Sequence, residues 1–171
     1  PYGGGKSGIV AERSLTPEEH TEVVRRFARL LYRYHPIFLP GPDVGTNDAD
    51  MKTIAIENGV DNALSKPIDM GGNRIDQLGA AGDGLIIALE ALIEELPRLK
   101  TLSQFSSLEI PDSDQITIII QGFGAVGAHA ALQLERHMPD AKVVGISDIS
   151  GYLFDPRGLP TEKLFDIWQK Q

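Results

Sequence analysis

The chain has 171 residues, enough for one large domain or parts of two, and its 42% apolar content is ordinary for a protein with a packed core. A formal net charge of −8 argues against a general nucleic-acid or anionic-membrane binder, while leaving room for a local anion site. With no cysteine there is no disulfide framework and no thiolate chemistry, which fits a reducing, cytoplasmic setting, and no apolar run reaches membrane-spanning length.

The chain opens in Pro1-Tyr2-Gly3-Gly4-Gly5-Lys6, with no signal peptide and no Met, and stops soon after its second predicted long strand; it is expected to be an internal or doubly trimmed piece of a longer protein. Residues 1–8 form a glycine-rich loop with one lysine. On composition it is a turn with a solvated lysine. The sharper reading has the backbone folding closely around a ligand with Lys6 pointing into a pocket, where desolvation moves a lysine toward base chemistry near neutral pH.

Residues 16–35 read as the clearest helix. Thr16 suits the N-cap, Pro17 the first turn, and Glu19 completes a capping box. Val23, Val24, Phe27, Leu30, Leu31 and Tyr34 recur at spacings of three and four and are the expected buried face. Arg25, Arg26, Arg29 and Arg33 read as a solvated face. His20 and His35 have no partner at metal-ligand spacing, so they read as structural or exposed and no metal is expected.

Pro36 ends that helix, and Ile37-Phe38-Leu39 reads as a short strand or extended run. The turn-rich stretch 40–48 leads into a helix over Asp48 to Asn58, with Met51, Ile54 and Ala55 inward. Asp43 could satisfy its own loop, but Thr46, Asn47 or Asp48 is better placed to cap, which leaves Asp43 for another task. A second turn-rich connection spans Ser65 to Gly72. From Asp76 or Gln77 to about Lys100 the pattern predicts a long helix interrupted by Gly79, Gly82 and Gly84. Its centre, Leu85 to Leu89, is apolar nearly all round, as for burial between two layers or two domains, and Pro97 kinks or ends it. Thr101 to Asp114 is a polar connector.

The most informative stretch follows. Ile116 to Ile120 is a β-branched strand, Gly122-Phe123-Gly124-Ala125-Val126-Gly127 is a Gly-x-Gly-x-x-Gly turn, and an Ala/Leu-rich helix comes next. Lys142 to Ile146 is a second strand, ending at Ser147-Asp148, 21 residues after Gly127. That order is the dinucleotide-binding fingerprint. Gly122 allows the tight turn, Gly124 lets a pyrophosphate approach the backbone, and Gly127 lets helix and sheet lie close. The helix N-terminus offers N–H groups to phosphate, and Asp148 would accept hydrogen bonds from the adenosine ribose. Beyond it, Ile149 to Pro156 reads as a turn followed by a short extended piece, and a last helix follows with Thr161 as N-cap, on which Phe165 and Trp168 read as core or interface residues.

Three stretches together resemble the glutamate/leucine/phenylalanine/valine dehydrogenase family, and the glutamate branch more than the leucine branch. They are Pro1 to Gly8, similar to the catalytic-lysine loop; Pro42-Asp43-Val44-Gly45-Thr46, similar to the catalytic-aspartate loop; and Gln121 to Gly127 with Ser147-Asp148 and Gly151. The resemblance implies an α/β fold: part of a substrate and assembly domain over residues 1–76, then the first βαβ portion of a Rossmann domain over 77–171 that includes the interdomain helix. It implies an active site in the cleft between those domains and a homo-oligomer, often a hexamer. It also implies reversible oxidative deamination of an L-amino acid to a 2-oxo acid and ammonia, with Lys6 and Asp43 as the catalytic residues and NAD or NADP as cofactor. The cofactor would be held by Gly122, Phe123, Gly124, Ala125, Val126, Gly127 and Asp148. The family's Ala-Thr-Gly triplet, whose threonine contacts the nicotinamide, is here Ala80-Ala81-Gly82, so Ala81 stands at a cofactor-contact position without the hydroxyl. The preceding segment also differs, with Arg74 displaced, which bears on cofactor orientation or substrate choice. Because Asp148 would repel a 2′-phosphate and no arginine follows closely until Arg157, NAD is favoured over NADP. The family's carboxylate-binding lysines would lie before Pro1, so the 171 residues alone are expected to show little or no turnover. The alternatives are a non-catalytic relative that binds a nucleotide or amino acid as a regulator, against which the retention of both Lys6 and Asp43 argues, and another Rossmann oxidoreductase, which leaves the first two loops unexplained.

Overall fold

A computed structural model describes residues 4–12, 14–59, 63–73 and 75–170. The chain divides into two compact units, Pro1–Arg74 and Ile75–Gln171.

The first unit is built on a helix pair, α1 (Pro17–Leu31) and α2 (Asp48–Asn58). The predicted capping box forms: Thr16 N–H donates to Glu19 Oε2 at 2.8 Å and Glu19 N–H to Thr16 Oγ1 at 3.3 Å. Past Leu31 the helix tightens into one 3-10 turn over Tyr32–Tyr34. In α2 Asn47 is the cap, in a reciprocal box with Asp50, and Gly59 at φ +64° ends the helix in the left-handed conformation. Val24 and Ala28 of α1 bury against Met51 and Ile54 of α2, with Ala63 closing the cluster. Leu30 and Tyr34, expected inward, are 61% and 49% exposed. The buried stripe runs instead through Val24, Ala28 and Leu31, because α2, packed through the small Ala28, covers only a narrow strip of the helix surface. Ile37-Phe38-Leu39 pairs with no strand; Tyr34 O accepts from the N–H groups of Ile37 and Phe38, both at 2.9 Å, so the segment starts in a turn.

The second unit opens with a short helix α3 (Ile75–Leu78), then α4 (Ala80–Leu99). Of the interruptions expected at Gly79, Gly82 and Gly84, the one at Gly79 is present, with a φ of +66° that no helix can continue, whereas α4 runs through Gly82 and Gly84. Pro97 lies inside the last turns of α4 without ending it. Leu85 and Ile87 are 54% and 48% exposed, while Ile86 is buried, so α4 is buried on one side and not all round. β1 (Thr117–Gln121), α5 (Ala125–His137) and β2 (Lys142–Ser147) make a parallel strand–helix–strand unit, with Thr117 opposite Lys142 and Gln121 opposite Ser147. β3 (Tyr152–Phe154) adds antiparallel to β2, giving the order β1-β2-β3. The core is made by Ile86 of α4, Ala130, Ala131 and Leu134 of α5, and Val143 and Ile146 of β2. The run of alanines on α5 lets α4 lie close.

The last helix, α6, spans Thr161–Trp168. Thr161 is its first residue and not its N-cap. Its hydroxyl is buried and donates to Glu135 of α5, a charge-assisted bond that ties the helices together. Phe165 is buried and, with Trp168, packs edge-on against the ring of His129, consistent with the core reading of both aromatics. No described helix is long and apolar enough to cross a membrane.

Candidate active site

In the first unit the loop around Asp43 holds itself rigid. Thr46 Oγ1 accepts from Asp43 N–H at 2.8 Å and donates to Asp43 O at 3.0 Å, and Thr46 N–H donates to the same carbonyl at 2.9 Å. Gly45, at φ +77°, supplies the left-handed residue this tight turn requires. Asp43 Oδ1 accepts from Val44 N–H at 2.8 Å, so the side chain does partly satisfy its own loop. Oδ2 remains, and Lys6 Nζ donates to it across 37 residues of chain. The lysine loop reaches this point by lying on Phe38: a Cβ on Gly5 would sit 2.9 Å from that ring. Phe38 was not singled out from sequence, because only the glycine that makes room for it is visible there.

Lys6 and Asp43 sit on the wall of a cavity of about 530 Å³ that is also lined by Phe27, Phe38 and His20. The desolvated lysine expected from the loop is not what this unit contains: the Lys6 side chain is 78% exposed and that of Asp43 50%. The ammonium is held by its carboxylate partner at an open face. What the pair offers chemically is a proton donor and a proton acceptor within one bond of each other. Of the glycine-rich loop, Pro1, Tyr2 and Gly3 lie outside the described residues, as does Arg74.

In the second unit the glycine turn has the form its sequence requires. Gly122 has φ +93°, and its N–H donates to Ser147 O at 2.7 Å, fastening the turn to the end of β2. Gly124 is extended and stands at the N-cap of α5, and a Cβ there would meet open space. Gly127 is the opposite case: a Cβ would lie 1.9 Å from Gly122 O and 3.2 Å from Ile120 Cγ2. One glycine keeps a surface open and the other keeps helix and strand in contact. Phe123 packs against the core. The N–H groups of Ala125, Val126 and Gly127 precede the first intrahelical bond, Ala128 N–H to Gly124 O at 2.9 Å, and so are available to an anion.

Asp148 lies just past β2, beside this turn. Its Oδ1 accepts from Ser150 and Gly151 N–H at 2.6 and 3.1 Å, leaving Oδ2 without a protein partner among the described residues. Arg157, the first arginine after Asp148, is engaged with Asp155 through its guanidinium at 2.8 and 3.1 Å and its N–H at 2.9 Å. These bonds hold the Asp155 carboxyl down at about 2. Ala81 is exposed in the first turn of α4. The next residue, Gly82, lies so close to α5 that a Cβ would be 2.7 Å from Ala130 N and 2.8 Å from Val126 O, which brings Ala81 beside the N-terminal turns of α5. Taken together, the open Gly124, the unbonded N–H groups and the free Asp148 oxygen fit a dinucleotide's pyrophosphate and ribose.

The histidines hold structural positions. His20 bonds Asp50 at 2.9 Å, and Asp50 is buried. His129 is buried between Gly79 and the α6 aromatics, and its Nε2 has no hydrogen-bond partner among the described residues. His137 lies 3.3 Å from both Asp83 and Glu90 of α4. These pairings join distant parts of the chain, and no local spacing announces them. On α1, Arg26 and Arg29 are exposed and paired with Glu22 and Glu57, so the basic face is a solvated one.

The sequence model of the glutamate/leucine/phenylalanine/valine dehydrogenases matches residues 71–171, and that of the Glu/Leu/Phe/Val dehydrogenase dimerisation domain matches residues 1–58. Among curated relatives, the NADP-specific glutamate dehydrogenase of Saccharolobus shibatae is 32% identical over 99% of this chain and 38% of its own length. The cryptic catabolic NAD-specific glutamate dehydrogenase of Bacillus subtilis is 31% identical over 97% of this chain and 38% of its own. A hetero-hexameric glutamate dehydrogenase from Thermus thermophilus, solved in a Leu-bound form, superposes with a TM-score of 0.63 at 27% identity, covering 95% of this chain and 37% of that one. The chain thus spans under two fifths of the length of the relatives it matches.

Proposed function

The chain belongs to the glutamate/leucine/phenylalanine/valine dehydrogenase family, and from that premise we propose that it carries the proton-transfer pair and the pyrophosphate turn of an NAD(P)-dependent amino-acid dehydrogenase. The proposed reaction is the reversible oxidative deamination of an L-amino acid, L-glutamate first among them, to a 2-oxo acid and ammonia. The observation that carries this reading is the bond between Lys6 and Asp43, two groups from separate loops that a regulator without turnover would not need.

Residues 1–76 are assigned to the substrate and assembly domain and 77–171 to the nucleotide domain. The nicotinamide cofactor, when bound, accepts hydride from the substrate α-carbon. The protein's part is proton handling: Asp43 takes a proton from the substrate amine and returns one to the departing ammonia. Lys6, its charge balanced by Asp43 at rest, helps activate the attacking water and stabilises oxyanion character at the α-carbon. Gly122 to Gly127 would hold the cofactor's pyrophosphate at the α5 N-terminus, and Ala81 would stand at the position that contacts the nicotinamide in the family. NAD is the proposed preference over NADP, because Asp148 repels a 2′-phosphate and Arg157 is committed to Asp155. A cytoplasmic homo-oligomer, a hexamer on the family pattern, is the proposed assembly; light scattering on the natural full-length protein tests it.

The reaction is tested by following reduced nicotinamide absorbance with the full-length protein and a panel of L-amino acids. Turnover with L-glutamate is expected, and Lys6→Ala is expected to lower kcat by about 10²–10⁴-fold. Nucleotide binding without turnover on any amino acid would overturn the reading in favour of a regulatory relative.

A further inference from the structure

We infer that His20 is a positioning residue for Asp43, acting through hydrogen bonds from α1 to Asn47, the peptide link from Asn47 to Thr46, and hydrogen bonds from Thr46 through Asp43 to Lys6. This rests on the dehydrogenase reading of Lys6 and Asp43 and adds to it a residue outside both loops.

The chain of contacts lies wholly within the first unit. His20 Nε2–H donates to Asp50 Oδ1 at 2.9 Å. Asp50 Oδ2 accepts from Asn47 N–H at 2.9 Å, and Asn47 Oδ1 accepts from Asp50 N–H at 3.2 Å. The neighbour of Asn47 is Thr46, whose hydroxyl and N–H hold the Asp43 backbone from both sides. Asp43 then takes Lys6. His20, Asp50, Thr46, Asp43 and Lys6 all line the same cavity.

Burial supplies the physical reason that His20 matters. Asp50 is only 6% exposed, and a buried carboxylate must have its oxygens satisfied. One oxygen is met by the helix cap and the other by His20. Without the imidazole, Oδ1 is left unpaired, and the carboxylate can regain hydration only by rotating or by moving outward. Either movement breaks the bond to Asn47 N–H that fixes where α2 begins, and the Thr46 staple is attached at that point. A capping box alone needs no histidine: α1 has its own Thr16–Glu19 box with no third partner. The extra contact is found on the helix whose cap adjoins Asp43. Because His20 is half-exposed on the helix surface, its replacement removes the hydrogen bond with little cost to the core.

The test uses the natural full-length protein, with cofactor-binding stoichiometry measured to count folded sites. His20→Leu, which cannot donate, is expected to lower kcat for L-glutamate oxidation about tenfold per folded site, with KM for glutamate and for cofactor within about twofold. His20→Gln, whose amide N–H can reach Asp50, is expected to hold kcat within about threefold of the unmutated protein. Thr46→Val, which removes the hydroxyl that holds the Asp43 backbone and so cuts the same chain closer to Asp43, should reproduce the His20→Leu signature and decides the matter if His20→Leu does not fold. The inference is overturned if His20→Leu keeps full kcat, if His20→Gln falls as far as His20→Leu, or if the loss is in KM alone. Absence of turnover in the unmutated protein overturns the dehydrogenase reading itself, and this inference with it.

Discussion

The two units build their sites by different routes. In the second unit the proposed anion site lies within six residues, Gly122 to Gly127, where each glycine answers a constraint set by its immediate neighbours: a left-handed φ, an open surface, a carbonyl too close for any Cβ. In the first unit the site exists only because Lys6 and Asp43, 37 residues apart, are brought together, and each loop alone is an unremarkable turn. A local site is robust and tolerates being one piece of a larger fold. A site made of distant parts depends on supports elsewhere, which here include Gly5 on Phe38, the Thr46 staple and the His20–Asp50 contact.

The largest effect that separates these cases is within the glycine turn itself. Gly127→Ala places a methyl against the Gly122 carbonyl, which cannot move without opening the turn, and should destabilise the protein by about 1–3 kcal/mol and abolish cofactor binding. Gly124→Ala projects its methyl into open space, so thermal stability should be unchanged while cofactor binding is lost. Calorimetry and cofactor titration on the two variants read this contrast directly. Equal stability losses would mean that the open surface at Gly124 has been misassigned.

The same contrast explains what was legible in the sequence. The α1 capping box, the strand–turn–helix–strand order and the α2 core positions are readable because each depends on spacing within a few residues. Where partners are distant, the pattern misled. Leu30 and Tyr34 share the apolar period of α1, but the helix that packs on it reaches only the stripe through Ala28. Thr161 looks like a cap, yet its hydroxyl found Glu135 on another helix. Of the three glycines read as interruptions of the long helix, only Gly79 breaks it; α4 runs through Gly82 and Gly84, and nothing near those residues tells them apart. The roles of Lys6 and Asp43 rest on family resemblance, whereas His20, with no motif of its own, reads only as structural or exposed.

A smaller effect is expected at the far end of the nucleotide site. Asp148→Ser removes the charge facing the ribose and should shift the ratio of kcat/KM for NAD over NADP toward NADP by about tenfold, or 1.4 kcal/mol. A strong NADP preference in the unmutated protein would remove Asp148 and the committed Arg157 from the account of cofactor choice. The smallest effect belongs to that arginine's partner. The Asp155 carboxyl is held at about 2, below its ordinary 3.8, by bonds from Arg157. Its folded-state value is depressed, so the pair's contribution to stability is complete above the ordinary value and is lost as pH falls through about 2. An NMR titration should show Asp155 protonating there, and Arg157→Leu should return it to the usual carboxylate range.

The central claim is that Lys6 and Asp43 act on one substrate as a unit, and kcat of the full-length Lys6→Ala, Asp43→Asn and doubly substituted proteins tests it most directly. Groups that serve a single proton-transfer step are strongly non-additive, so the double variant should be about as slow as the worse single one. Losses that multiply in full would contradict the account, as would wild-type turnover in either single variant.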